Sequence, residues 1–388
     1  MSASKTKQLF EKAFGSLPSE RVYSHGRLEI VGNHTDHNHG LCLVAGASMG
    51  IEAEVAKTDS GIVRIVSEGY PSFSFSSSDL AKRPEEAGTS LAITRGILFG
   101  LKEKGFGVGG FSAALTNDIF PGAGVSSSAC YESLIVSILS HLYNGGLVSP
   151  IDMAKIGQFA EREYFGKPCG LLDQVGTSFG GIDFLDFKST EEPIVEPMKW
   201  DLPLKIVLVN TGGSHANLTP LYASIPSDMF AVAQKIFGKS NLREVPAPVF
   251  FKAIAHPLDG VSELAKLRAQ HFFDENQRVL TARKAVLEHD VGAFLEAISL
   301  SSLSSTSFLQ NTIANGDYEH SPQKALDLAK NHLSGGACRI MGGGFAGSII
   351  CFLPPEKAEA FKKAMGEYYG SRNVVSVSIV DGGPSWGK

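Results

Sequence analysis

The stretch from Phe120 to Val136, FPGAGVSSSACYESLIV, constrains this chain most. Pro121, Gly122 and Gly124 open it, and Ser126, Ser127 and Ser128 follow. Ala129, Ser133, Leu134, Ser137 and Ile138 then recur at helical spacing, which predicts a helix from about Ser127 to Tyr143. Glycines let a backbone turn tightly and aim successive N–H groups at one ligand. A helix starting directly afterwards adds unpaired N–H groups and the positive end of its dipole. Such a loop suits an anion, and a polyphosphate best. The serine hydroxyls can cap the helix, touch a phosphate or reach a metal ion. An ordinary glycine turn capped by serine uses the same residue types. The stretch is not a P-loop, because it holds no lysine and no G-x-x-x-x-G-K-[ST]. No G-x-G-x-x-G follows a clear strand here, which excludes the dinucleotide fingerprint.

A second constraint lies upstream. Arg27 to Val31 alternates like a strand and breaks at Gly32. Asn33, His34, Thr35, Asp36, His37, Asn38 and His39 then form a dense polar loop, closed by Gly40. Three readings suit it. Metal ligation is one, although the spacing on so short a loop is poor. A solvated loop is the second. The third is a sugar site, since Asp, Asn and His make directed hydrogen bonds to hydroxyls.

The remaining chain reads as strands interleaved with helices, an α+β pattern. An amphipathic helix with Leu9, Phe10 and Phe14 on one side comes first. The segments IEAEVAKT and GIVRIVS, within 51–75, read as strands of a meander. A helix over 90–104, a strand over 111–119 and a helix from Pro150 through Glu163 follow. The proline-bearing stretch 193–202 reads as a link between domains, at 1–198 and 199–388. The region 264–298 is helical and charged, a scaffold with a solvated face. A second glycine cluster, GGACRIMGGGFAGS, precedes an apolar strand at 348–352, and VVSVSIV (374–380) is the final strand. Glu161 and Asp173 lie near a helix end and a glycine, where acidic residues are commonly solvated.

Composition narrows the function. Apolar residues make 43% and charged ones 19%, a soluble globular balance. The net charge of −5 argues against nucleic acid or an anionic membrane as partner. No apolar run reaches the length of about 18 residues that a membrane span needs, and no signal peptide opens the chain. Five scattered cysteines without a C-x-x-C pair suit reduced thiols in the cytoplasm.

Four motifs carry a resemblance. PGAGVSSSA resembles the phosphate loop of the GHMP small-molecule kinases. GRLEIVGNHTDHNHG resembles the galactokinase signature, close to G-R-x-N-x-I-G-E-H-T-D-Y-N-x-G. Galactokinases also carry E-x-x-x-x-G-x-P-C-G-x-x-D-Q, matched here from Glu161 to Gln174. The second glycine cluster is similar to their G-A-R-x-x-G-x-G-F-G-G, a loop that leans on the phosphate loop. The resemblance covers nearly the whole chain. It implies a two-domain GHMP kinase fold with mixed sheets, helices packed on them and the active site in the cleft. It implies ATP-dependent phosphorylation of the anomeric hydroxyl of galactose by a cytoplasmic monomer.

The resemblance also implies roles. Asp173 is the catalytic aspartate, with Arg27 beside it. Asn33, His34, Asp36, Gly170 and Tyr222 contact the sugar. Gly122, Ala123, Gly124, Val125, Ser126, Ser127 and Ser128 hold ATP, and Ser128 and Glu161 ligate Mg²⁺. His215 and Tyr222 keep the family's seven-residue spacing. Several positions depart from the pattern. Glu29 replaces an asparagine, Asn33 a glutamate and His37 a tyrosine, and the arginines beyond Tyr222 give way to Ser224, Ile225 and Pro226. In the family the glutamate at position 33 is implied to bond the C6 hydroxyl. Asparagine there adds a donor and removes a charge, which admits a uronate. A kinase for galacturonate or N-acetylgalactosamine is therefore an alternative, and a non-catalytic galactose/ATP sensor a further one.

Overall fold

Two long strands carry the fold. β1 (Glu20–Val31) and β2 (Leu41–Lys57) pair antiparallel from Glu20↔Val55 to Val31↔Leu43. The computed structural model describes residues 4–120, 122–213 and 218–387. The polar loop at 32–40 joins the two strands at one end. Helix α1 (Lys5–Phe14), capped by the Ser4 hydroxyl, buries Phe10 as its amphipathic pattern requires.

β2 is long enough to serve two neighbours on one side. Its residues Leu41–Ala45 pair with β6 (Ile182–Asp186), and Ile51–Lys57 pair with β5 (Phe111–Asn117). β3 (Ile62–Ser67) lies beyond β5 and parallel to it, with β4 (Phe73–Ser76) outermost. The meander expected over 51–75 therefore does not form, because β5 inserts between β2 and β3. The first five residues of β5 are buried on both faces, as a central strand's are, whereas β3 alternates and sits outside. The stretch expected to be a link holds β7 (Ile194–Met198), which pairs with β6. Pro197 is tolerated there because the strand is an edge.

A second sheet runs β11 (Val374–Val377), β8 (Lys205–Asn210), β10 (Ser348–Leu353), β9 (Ala337–Ile340), all antiparallel. The chain does not end its strands at Val380. β12 (Ser385–Gly387) returns to the first sheet and pairs with β1.

Helices α2 (Ser90–Glu103), α3 (Ser127–Asn144) and α4 (Pro150–Phe159) cover the first sheet through a core that includes Leu98, Leu134, Ile138 and Val55. α4 continues into a π-helical turn, Ala160–Phe165, and α5 (Leu172–Phe179) follows. The later helices are α6 (Thr219–Phe237), α7 (Ala247–Ile254), α8 (Glu263–Leu287), α9 (Val291–Ser304), α10 (Pro322–Lys330) and α11 (Pro355–Tyr369). One apolar core joins the two sheets to α8 and α9: Leu28 and Leu43 meet Leu208, Ile350, Val279 and Ile298. Burial of this continuous core, which also takes in Ala123 and Val125, fixes the ends of β1 and β10 and the loop after β5 relative to one another.

Candidate active site

Arg27 on β1 and Asp173 in the first turn of α5 form the centre. Arg27 donates from Nε and Nη2 to Asp173 Oδ1, at 2.8 and 2.7 Å, and from Nη1 to the Gly124 carbonyl at 2.5 Å. Ser126 Oγ donates to Asp173 Oδ2 at 2.8 Å. α5 comes this close because Gly176 has no side chain: a Cβ there would lie 2.5 Å from Val44 and 2.8 Å from Arg27. Burial alone would raise the Asp173 pKa. The Arg27 charge, the Ser126 hydroxyl and Lys167 outweigh it and hold the carboxyl below its ordinary range. Asp173 is therefore ionised at neutral pH, and its side chain keeps 35% exposure at the site's mouth.

The loop 122–128 has the predicted backbone character. Gly122, Gly124 and Ser126 take positive φ of 78°, 75° and 55°. For serine that conformation is strained, and the bond to Asp173 is what the strain gains. Ser126 stands at the N-cap of α3, yet its hydroxyl makes no cap bond. The first N–H groups of α3 thus lack a capping side chain, which suits an anion. Ala123 and Val125 turn their side chains into the core, so only their backbone can serve a ligand. Ser127 is exposed and Ser128 half-buried. The loop rests on the second glycine cluster. Ser348 Oγ donates to the Gly122 carbonyl at 2.6 Å, and a Cβ on Gly124 would lie 3.1 Å from Met341 Cε. Pro121 lies outside the described residues.

The polar loop approaches from the other side. Thr35 Oγ1 bonds the carbonyls of Gly32 and Leu41, at 2.9 and 2.7 Å, which closes the turn. His34 takes a positive φ of 56°. Asp36 packs directly on Gly170, where a Cβ would lie 1.8 Å from its Oδ2. Burial, then the charges of Asp173 and Glu29, push the Asp36 carboxyl up to about 7. Burial lowers the pKa of both His34 and His37, so both rings are neutral at neutral pH. A consistent chain follows: the Asn38 amide donates to His37 Nδ1 (3.0 Å), His37 Nε2 to His34 Nδ1 (3.4 Å), and His34 Nε2 to the Gly343 carbonyl (3.0 Å). Tyr222 donates to the Gly344 carbonyl at 3.0 Å, and its ring lies against Gly343, where a Cβ would come within 2.8 Å. His215 lies outside the described residues. Asn33 is 1% exposed and turned inward: its amide nitrogen donates to Glu29 Oε1 (2.9 Å) and the Gly342 carbonyl (2.7 Å), and its oxygen accepts from Asn311 (3.0 Å).

Only some charges of α8 form the expected solvated face: Glu263 and Lys284 are exposed, whereas Arg268, His271 and Glu275 turn inward. Glu275 is fully buried and accepts from the backbone N–H groups of Gly32 (3.0 Å) and Asn33 (3.3 Å), from Ser301 (2.6 Å) and from Arg278 (2.6 Å). His271 bonds the Asn33 carbonyl at 2.9 Å, and Asn276 accepts from the Leu41 N–H at 2.7 Å. Their register could have shown it. Arg268, His271 and Glu275 continue the stripe of Val279, Ala282 and Val286 at steps of three and four, so they share the core-facing side.

Glu161, in the π-helical turn, is 2% exposed. It pairs with Lys167 at 2.8 Å and accepts from Gln174 Nε2 at 2.8 Å. The same Gln174 nitrogen reaches Glu132, one turn beyond Ser128 on α3, at 3.0 Å. Glu132 Oε1 and Gln174 Oε1 are buried with no hydrogen-bond partner. Among the described residues no three His, Cys, Asp or Glu side chains are arranged to hold a metal alone. An oxygen-rich patch short of donors, with few protein ligands, fits a hard cation that keeps water and phosphate oxygens.

Comparisons with known proteins show what the chain is similar to. The family model for the GHMP kinases N terminal domain matches residues 93–181, and that for the galactokinase galactose-binding signature matches residues 8–57. A galactokinase of Glaesserella parasuis is 31% identical over 364 residues, 93% of this chain and 92% of that protein. The chain belongs to the galactokinase family. As a galactokinase-family protein it is a phosphotransferase acting on an alcohol group, and the family uses ATP. A galactokinase of Actinobacillus pleuropneumoniae is 30% identical, again over 93% and 92% of the two chains. The fold is that of the Lactococcus lactis galactokinase crystallised with galactose, at TM-score 0.84 and 24% identity over 98% of both chains. A D-glycero-D-manno-heptose 1-phosphate kinase shares it more distantly, at TM-score 0.65 and 18% identity, with 95% of this chain and 99% of that one covered. Among the described residues no helix is long and apolar enough to cross a membrane.

Proposed function

We propose that this galactokinase-family protein transfers the γ-phosphoryl group of ATP to the anomeric hydroxyl of galactose, giving galactose 1-phosphate and ADP. One observation carries the reading. The ionised Asp173 carboxylate is bonded to the phosphate loop through Ser126, and its charge acts on Asp36 in the polar loop. A hydroxyl held by Asp36 thus lies close to a base that is already tied to the phosphate-binding backbone.

In this mechanism the N–H groups of 122–128 hold the phosphates. Asp36, His34, Gly170 and Tyr222 enclose the sugar. Asn33, whose amide is spent on Glu29, Gly342 and Asn311, shapes the site by fixing the second glycine loop. Asp173 orients the attacking hydroxyl and accepts its proton. Arg27 keeps Asp173 ionised and offers positive charge where negative charge grows. Ser128 and Glu161 would hold Mg²⁺, which neutralises charge on the phosphate oxygens when bound. The halves 1–198 and 199–388 act as the two domains, the first supplying the phosphate loop and Asp173, the second the loop that closes on Asn33. The unpaired cysteines suit a reducing cytoplasm.

The test is ADP release by purified protein with ATP, Mg²⁺ and galactose, with the product identified by phosphorus NMR. Galactose 1-phosphate is expected. Turnover of a uronate or an amino sugar but not galactose would replace the substrate, and no turnover with any sugar would end the kinase reading.

A further inference from the structure

Positions 29 and 33 hold the two residue types of the family pattern with their places exchanged: Glu29 where asparagine is usual, Asn33 where glutamate is usual. The two side chains touch, Asn33 Nδ2 donating to Glu29 Oε1 at 2.9 Å. The carboxylate has therefore not left the pair. It has moved to the other partner of one hydrogen bond.

Glu29 sits two residues beyond Arg27 on β1, in unbroken register with β2 from Arg27↔Gly46 to Glu29↔Val44. Both side chains therefore leave the strand on the same face, the one that meets Asp173. Glu29 is 5% exposed. Its Oε1 is saturated: it accepts from Asn33 and from Arg339 Nη2, each at 2.9 Å. Arg339 is wholly buried and also donates to the carbonyls of Glu29 (3.0 Å) and Ile30 (3.3 Å), which locks this end of the carboxylate. Oε2, by contrast, accepts no hydrogen bond among the described residues. That oxygen is not among the buried, unpartnered atoms of the described residues, so it keeps contact with solvent and is open to a ligand's hydroxyl. The Glu29 charge reaches the sugar loop, since it helps raise Asp36 and opposes the lowering of His34. Asn33 has no N–H left to offer a carboxylate, because both N–H bonds of its amide are already used, and its oxygen is turned inward and accepts from Asn311.

We infer that Glu29 Oε2 is the acceptor for the sugar hydroxyl that the family pattern assigns to position 33, the one on C6, and that it makes the site reject an anionic group there. A hydroxyl donates to the open carboxylate oxygen. A uronate has no proton to give and meets like charge instead. The inference rests on the galactose reading above and reverses the expectation that Asn33 admits galacturonate.

The experiment measures kcat/KM for galactose, 6-deoxygalactose and galacturonate, with folding of each variant checked by circular dichroism. Wild type is expected to prefer galactose to its 6-deoxy analogue and to leave galacturonate unreacted. Glu29→Gln should lower the galactose to 6-deoxygalactose ratio by roughly 10–100-fold, the scale of one charge-assisted bond, and make galacturonate turnover measurable. Glu29→Asp keeps a counter-charge for Arg339 but withdraws the oxygen by one methylene. It carries the test if the glutamine variant does not fold, and its ratio should fall likewise. A purely structural Glu29 would depress both sugars equally. A ratio within about twofold of wild type in a folded variant overturns the inference alone, since a single lost hydrogen bond exceeds that. A wild type inert toward galactose would instead remove the galactose reading on which it stands.

Discussion

The loop at 122–128, proposed above as the phosphate loop, and the polar loop at 33–39 converge on Asp173, yet they are held by opposite means. The phosphate loop is a backbone device. Its shape comes from Gly122, Gly124 and the strained Ser126, and it is held from outside by Arg27 on the carbonyls of Gly124 and Val125, by Asp173 on Ser126 and by two contacts from the second glycine cluster. The polar loop is a side-chain device. Its backbone N–H and carbonyl groups are bonded by Glu275, His271 and Asn276 of α8, and its side chains by Gly342, Gly343 and Asn311. A backbone site tolerates change around it and is sensitive to its own conformation. A side-chain site depends on groups hundreds of residues away and is as robust as its least satisfied partner.

The strongest way to break the contrast is Glu275→Ala. It removes the acceptor for two loop N–H groups and leaves Arg278 and His271 beside an empty buried site. A loss of about 3–5 kcal/mol is expected, read as a fall in the urea midpoint, with sugar affinity lost before nucleotide affinity. Asp173→Asn touches the point where the loops meet. Its kcat should fall about 10²-fold or more, while calorimetry should show ATP binding close to wild type. Loss of ATP affinity with kcat unchanged would assign the residue elsewhere. Gly170→Ala sharpens the comparison, because the new methyl must displace Asp36. Galactose KM should rise roughly 10–100-fold for one displaced charge-assisted contact, with ATP KM unmoved.

A pH series separates binding from folding. In the proposed mechanism Asp36 must be ionised to accept from sugar hydroxyls, and burial pushes its carboxyl up to about 7. Galactose KM should then rise by up to about tenfold per pH unit as pH falls below 7, and Asp36→Asn should flatten the profile. Stability runs the other way. The folded state keeps a proton that the unfolded chain releases from pH 4 upward, so this group's contribution is present below about 4 and is lost as pH rises to about 7. A melting temperature that rose with pH through this window in wild type relative to Asp36→Asn would contradict the assignment. The smallest effect belongs to the backbone device. Ser127→Ala on the exposed surface should change stability by less than about 0.5 kcal/mol and raise ATP KM only a few-fold.

The same contrast explains what could be read in the chain. The start of α3, the glycine turn and the strand before it follow from residue types within one short window, and the structure has them nearly where expected. The motifs also brought Arg27, Asp36, Gly170 and Asp173 to one place. What local pattern could not supply was pairing. The insertion of β5 between β2 and β3 is decided by burial on both faces of β5, a property of the whole sheet. The inward charges of α8 looked like surface because Arg, His and Glu usually are, although their register with Val279 and Ala282 said otherwise. The inward turn of Asn33 was not legible because two of the partners that occupy its amide, Gly342 and Asn311, are distant in sequence.

The pairing of β12 with β1 has a consequence for synthesis. Val22 lies opposite Trp386, whose indole nitrogen donates to Ser137 at 3.0 Å and whose ring stacks on His141 at 4.0 Å. The strand that carries Arg27 leaves the ribosome before all four strands of the second sheet, and its outer neighbour leaves after them. Until β12 is made, that edge has no partner and stands as a template for another nascent chain. β12 therefore acts as a clasp, and the first sheet acquires this border only after the strands of the second have been made.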